Sequence, residues 1–209
     1  MISKEYVQLV GPFLIVALVV FSINSAGKIR FNNNLWNSMV IFILSAIISF
    51  ASIFNLSLAE YILSFNPNFS IGSLTLIIIL LMPYVVNHTI LEEKYVILFC
   101  LWNVLSSLIL FLSCLGLLPF DLYAWGYAFS PGFLIMAVIT VSLVWAAPPL
   151  AIIFLAYMVA FDLKILPSDN LFDYITDGFL FLLSAAMLTG AAVRWRRSEG
   201  RGAGKSISA

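Results

Sequence analysis

The sequence predicts an all-α protein, a polytopic transmembrane helix bundle, and three observations carry that reading. Hydrophobic residues make up 63% of the 209 positions and charged residues only 10%, where soluble domains carry about a quarter charged. A chain of this size has no room to bury so much apolar surface in itself, so lipid is its expected solvent. Charge-free runs near the length of one bilayer crossing, about 20 residues, recur along the chain. The longest, from Leu122 to Phe161, is forty residues without Asp, Glu, Lys or Arg. It is either two crossings or one long tilted helix, and Pro148-Pro149 marks the place for a turn.

Residues 6–27 form the first run, behind Lys4 and Glu5. It is longer than the apolar part of a cleavable signal, and no clear small-x-small cleavage site is followed by a soluble domain. A retained span is expected. Lys28, Arg30 and Asn32-Asn33-Asn34 break it from the second span, residues 35–56. Ser45, Ser49 and Ser52 would share a face there, where small hydroxyls let helices approach. Residues 57–68, with Glu60, Tyr61, Asn66 and Pro67, suit an interfacial helix or a loop.

The third span covers residues 69–87, with Pro83 removing a backbone donor near its end. His88 to Lys94 is a charged loop, and residues 95–118 form a fourth span with Asn103 as its most polar interior position. Residues 120–127 carry Tyr123, Trp125 and Tyr127 beside Asp121, the composition of a headgroup-level belt. The fifth and sixth spans are residues 128–147 and 148–161. A polar loop with Asp162, Lys164 and Asp169 leads to the last span, residues 171–193, which stops at Arg194-Trp195-Arg196-Arg197. Residues 1–197 thus form the bundle, and 198–209, rich in Gly and Ser, a flexible cytoplasmic tail.

Seven spans with the first residue outside place Lys28, Arg30, Lys94 and five C-terminal cations inside, eight against Lys4 and Lys164 outside. Six spans with both ends inside divide the cations six to four. The positive-inside rule favours seven, although Ala146-Ala147-Pro148-Pro149 makes a tight inner turn.

Several chemistries lack their residues. One histidine, His88, is too few for haem ligation or a zinc cluster. No lysine falls inside a span, and neither a P-loop nor a G-x-S-x-G elbow is present. No cofactor, metal or nucleic-acid partner is expected. Cys100 and Cys114 lie about 21 Å apart along one helix, beyond disulfide reach, and read as buried small hydrophobes.

Ionisable groups within a bilayer are costly and mark pathways. Asp173 and Asp177 are four apart, so one helix face would carry both, sharing a proton or a cation. The alternative is that both lie in the headgroup layer, where a helix N-terminus favours negative charge. Asn103, with Ser106 and Ser107, forms a seam suited to interhelical hydrogen bonds or to a ligand. Asp162, Trp125 and Tyr127 complete the candidate ligand-binding positions. Arg194, Arg196 and Arg197 are candidate anchors to anionic lipid or a partner.

Trp125-Gly126-Tyr127 followed by Gly132, with Lys28-Ile29-Arg30 and Asn34-Leu35-Trp36, resembles the seven-transmembrane sensor regions at the N-termini of bacterial histidine kinases. The likeness covers residues 6–136. No output domain is expected after Arg197, and the loop between spans five and six is nearly absent. The resemblance implies a prokaryotic plasma-membrane module for sensing or partner binding, without catalysis of its own. A non-enzymatic sensor or complex subunit therefore ranks first, with the bilayer and other membrane subunits as partners. A small-solute transporter or substrate-binding component ranks second, and an enzyme acting on a lipid or isoprenoid through paired carboxylates third.

Overall fold

Each long apolar run is helical in the computed structural model, which describes residues 4–26, 35–127 and 130–206. The described helices are α1 (Lys4–Ala26), α2 (Leu35–Phe50), α3 (Leu58–Phe65), α4 (Ile71–Val86), α5 (Glu93–Cys114), α6 (Pro131–Ala146), α7 (Pro148–Asp162), α8 (Phe172–Ile175) and α9 (Gly178–Ser206). The expected loop residues Lys28, Arg30 and Asn32-Asn33-Asn34 lie outside the described residues.

Among the described residues three helices are long and apolar enough to cross a membrane: Val7–Ala26 of α1, α5, and Gly178–Arg197 of α9. Seven full-length spans, as the sequence predicts, are not found among the described residues. α2, α4, α6 and α7 are apolar but only 15 or 16 residues long, about 24 Å at 1.5 Å per residue. Turns and caps take the missing residues. After α2, Ser52–Ile53 (β1) and Leu56–Ser57 (β2) form a small antiparallel ladder. Phe54 and Asn55 turn it at φ 51° and 71°. The Ser57 side chain then accepts from the Glu60 N–H while Glu60 accepts from the Ser57 N–H at 2.6 Å, a capping box that starts α3. Ser52 therefore leaves the helical face of Ser45 and Ser49. Those two are buried, and each donates to the carbonyl four residues earlier.

The last predicted span also begins later. Residues 172–175 form the separate single turn α8, Thr176 is extended at φ −142°, and α9 starts at Gly178. Asp177 caps α9 by accepting from the Leu180 N–H. Asp173 and Asp177 thus belong to different elements and share no helix face. The four-residue spacing misleads because an Asp prefers the N-cap to the helix interior.

The helices alternate in direction. Gln8 donates to Asn68 at 3.1 Å, bringing the starts of α1 and α4 together. Ser38 near the start of α2 donates to Val85 at the end of α4. Along α5 and α9, the Cys100 thiol reaches Met187 at 4.0 Å, the rings of Phe111 and Phe181 lie 5.7 Å apart, and Arg194 pairs with Glu93. The α6–α7 hairpin is fixed by Phe133 against Phe161 (6.2 Å) and Thr140 against Met158 (3.7 Å). The chain reverses through Ala147 alone. Pro148 and Pro149 occupy the first turn of α7, where a missing N–H costs little.

The bundle thus has an aspartate end, where α4, α6 and α9 begin, and an arginine end, where α5 begins and Arg194 lies. Between them, Leu76, Phe99, Phe154, Tyr157 and Leu180 pack into a core from α4, α5, α7 and α9. Ala17, Phe21, Ile41 and Leu81 join α1 and α2 to α4. Leu134, Trp145, Ile152 and Leu182 point outward, each more than 60% exposed, as lipid-facing side chains would.

Candidate functional site

The aspartate end is built on two carboxylates, and each has a different task. Asp177 Oδ1 accepts from the Leu180 N–H at 2.8 Å. Its Oδ2 accepts from the Ser70 N–H and the Ser73 hydroxyl, both at 2.6 Å. Ser70 is itself the N-cap of α4, accepting from the Ser73 N–H. One carboxylate therefore meets the starts of two helices, each with orphan donors and a partial positive charge. Gly72 lets them close up, because a Cβ there would meet the Ile175 carbonyl and the Leu180 side chain.

Asp173 holds the loop that precedes α6. Both of its oxygens accept from the Tyr123 hydroxyl, at 2.8 and 2.9 Å, and Ser168 donates to Oδ2. Burial, and then the adjacent carboxylate, push the Tyr123 phenol well above its ordinary pKa. Asn170 donates to the Tyr123 carbonyl and accepts from the Phe172 N–H, while the Leu171 N–H donates to the Gly126 carbonyl at 2.8 Å. A Cβ at Gly126 would meet the Asn170 side-chain oxygen, and one at Gly132 would meet the Trp125 carbonyl. Both glycines near the aromatic stretch are required by close approach of a neighbouring segment. Trp125 stacks on Phe120 at 6.3 Å, and Tyr127 meets Tyr123 edge-on at 5.9 Å.

A cavity of about 240 Å³ opens here, with Asp173, Asp177, Asn68 and Tyr123 on its polar wall and Leu110 and Phe111 on its apolar one. The structure brings both aspartates to this cavity but leaves the other candidates elsewhere. Asp162 is exposed at the end of α7. Asn103 is fully buried in the helix core, donating to the Phe99 carbonyl at 2.9 Å, and its Oδ1 has no partner among the described residues. Ser107 of α5 joins Thr176, the extended residue between α8 and α9. Cys100 is buried as expected, whereas Cys114 is exposed, because α5 ends there before a turn at Gly116. No cluster of three or more His, Cys, Asp or Glu able to hold a metal occurs among the described residues.

Sequence reasoning passed over Ser70, Ser73, Ser168 and Asn170. A serine directly before an apolar run is a capping signal, and Ser70 had it. Ser168-Asp169-Asn170 after Pro167 is turn chemistry.

The arginine end is simpler. Glu93 and Arg194 pair at 3.1 Å, and Glu92 and Lys94 at 2.7 Å, all well exposed. Arg196 and Arg197 follow, exposed on α9, and His88 is exposed in the loop before α5. Between α4, α5 and α9 lies a second cavity of about 530 Å³. Its walls include Ile79, Leu80, Val96, Ile97, Met187 and Leu188, with Glu93 and Arg194 also on its lining. No family model, no curated protein and no solved structure matches this chain.

Proposed function

We propose that this chain is an integral membrane module of seven crossings, N-terminus outside and C-terminus cytoplasmic, acting as a sensor-like element or a subunit of a membrane complex without chemistry of its own. The alternating directions of α1, α2, α4, α5, α6, α7 and α9 support the seven crossings. The four shorter helices fall a few ångströms short of a hydrocarbon core of about 30 Å, a mismatch that local bilayer thinning and flanking residues absorb. Fusing topology reporters to both ends tests this part. Signals from the same compartment would remove the seven-crossing arrangement.

One observation carries the non-enzymatic reading. The Asp177 carboxylate accepts three hydrogen bonds that join the starts of α4 and α9, so it acts as a structural clamp rather than a free acid or base. Purification of the full chain in mild detergent should recover a stable membrane partner. Turnover of a substrate by the isolated chain would count against this reading.

A second reading has its own support. Asp173, Asp177, Asn68 and Tyr123 converge on the 240 Å³ cavity, which suits a small cationic or amine-bearing solute. Under it, Asp177→Asn would abolish solute binding or uptake while the chain stays folded. Under the first reading the same change lowers stability and assembly, with no solute binding to lose.

A further inference from the structure

We infer that the cavity between α4, α5 and α9 at the arginine end is a lipid slot, holding one acyl chain of an anionic phospholipid whose phosphate takes the place of Glu93 on Arg194. The inference rests on the membrane reading above and adds a ligand to it. At about 530 Å³, the cavity falls within the range of about 300–1,000 Å³ of small-molecule sites, which are mainly apolar with a few placed polar groups. Along α9 its lining runs from Met187 to Arg194. That is two helical turns, about 10 Å parallel to the bundle axis, which is the direction an acyl chain takes in a bilayer. Ala191 stands midway and leaves the space open, and buried Cys100 closes the end away from Arg194.

Charge selects the headgroup. Of the two carboxylates here, Glu92 is engaged by Lys94, leaving Glu93 alone beside Arg194. Arg196 and Arg197 follow on α9 within a turn, both exposed, so this end of the bundle carries a cationic excess that an anion at Arg194 would balance. The Glu93–Arg194 pair is two-thirds exposed or more on both sides, and such pairs hold weakly. A phosphate offers the guanidinium the same forked acceptor geometry and brings an apolar tail that leaves water on binding. Glu93 is then a competitor for Arg194, which sets opposite signs for two conservative changes.

The test uses the purified full chain in detergent micelles doped with phosphatidylglycerol or phosphatidylcholine of matched acyl chains, with bound lipid counted by native mass spectrometry. Wild type is expected to keep one phosphatidylglycerol, with about a tenfold preference, as befits one charge-assisted contact. Glu93→Gln should raise that retention, and Arg194→Gln should lower it to the phosphatidylcholine level. Ala191→Trp, which fills the slot, should lose both lipids. Equal retention of the two lipids by wild type overturns the inference, as does undiminished phosphatidylglycerol on Ala191→Trp, or the two charge variants moving the same way. Carbonate extraction of the chain from membranes is the separate control: a chain released into the aqueous phase sinks the membrane reading, whereas a retained chain with no lipid preference sinks only the slot.

Discussion

The two ends of the bundle are held by different physics. At the aspartate end, segments more than forty residues apart meet through directed hydrogen bonds: Ser70 and Ser73 on Asp177, and Tyr123 on Asp173. At the arginine end exposed ion pairs flank an apolar cavity, and the hydrogen bond from Ser38 to Val85 is long, at 3.4 Å. Part-buried hydrogen bonds tolerate little displacement, whereas exposed pairs exchange with solvent at little cost. The difference assigns rigidity to one end and adaptability to the other.

Glycines give the sharpest way to break that contrast. Gly126→Val should cost about 3 kcal/mol or more, since the new side chain meets Asn170 and Phe172. Gly190→Ala, where a Cβ would sit 3.6 Å from the Arg194 side chain, should be neutral or stabilise by up to about 1 kcal/mol through helix propensity. Thermal melts in detergent compare them directly, and equal losses would erase the distinction between the ends.

Asp177→Ala should be nearly as severe, about 3 kcal/mol, because it removes a helix cap and strands donors from α4. Asp177→Asn keeps one acceptor oxygen and should recover roughly half of that. A smaller effect, about 1 kcal/mol, is expected for Tyr123→Phe. Its sharper signature is in alkali. The fold favours the neutral phenol, so its stabilisation is present below the ordinary phenol pKa of about 10 and is lost as pH rises through that value toward the raised folded one. Melts across that range should show a decline that Tyr123→Phe lacks. Least of all, Glu93→Gln should change stability by about 0.5 kcal/mol at most, with no dependence on salt beyond that of wild type.

Apolar run length was legible in the sequence, and so were the helices it produces. The expected first and sixth spans differ from α1 and α7 by no more than two residues at either end. The reversal at the double proline was legible too, because Pro at a helix start and a single intervening residue leave few alternatives. What hydropathy could not see was where a helix stops for reasons other than polarity. Phe50 ends α2 although apolar residues continue to Leu56, because the left-handed Phe54 and Asn55 fold the chain back. The aspartates failed for a related reason. Spacing of four assigns a common face only if the chain between is helical, and extended Thr176 makes it otherwise. The seam of Asn103 and Ser107 was visible as composition, but only the structure pairs Ser107 with Thr176.

The single residue between α6 and α7 has a consequence for biosynthesis. Under the seven-crossing reading, with only Ala147 as connector and the Ala147 carbonyl already accepting from Leu150 and Ala151, neither helix can settle in a bilayer while its sibling waits outside. The pair is expected to leave the insertion machinery as one unit, committed together or not at all. A nascent chain truncated at residue 147 should therefore leave residues 131–146 open to aqueous labelling, and one extended to residue 162 should protect them.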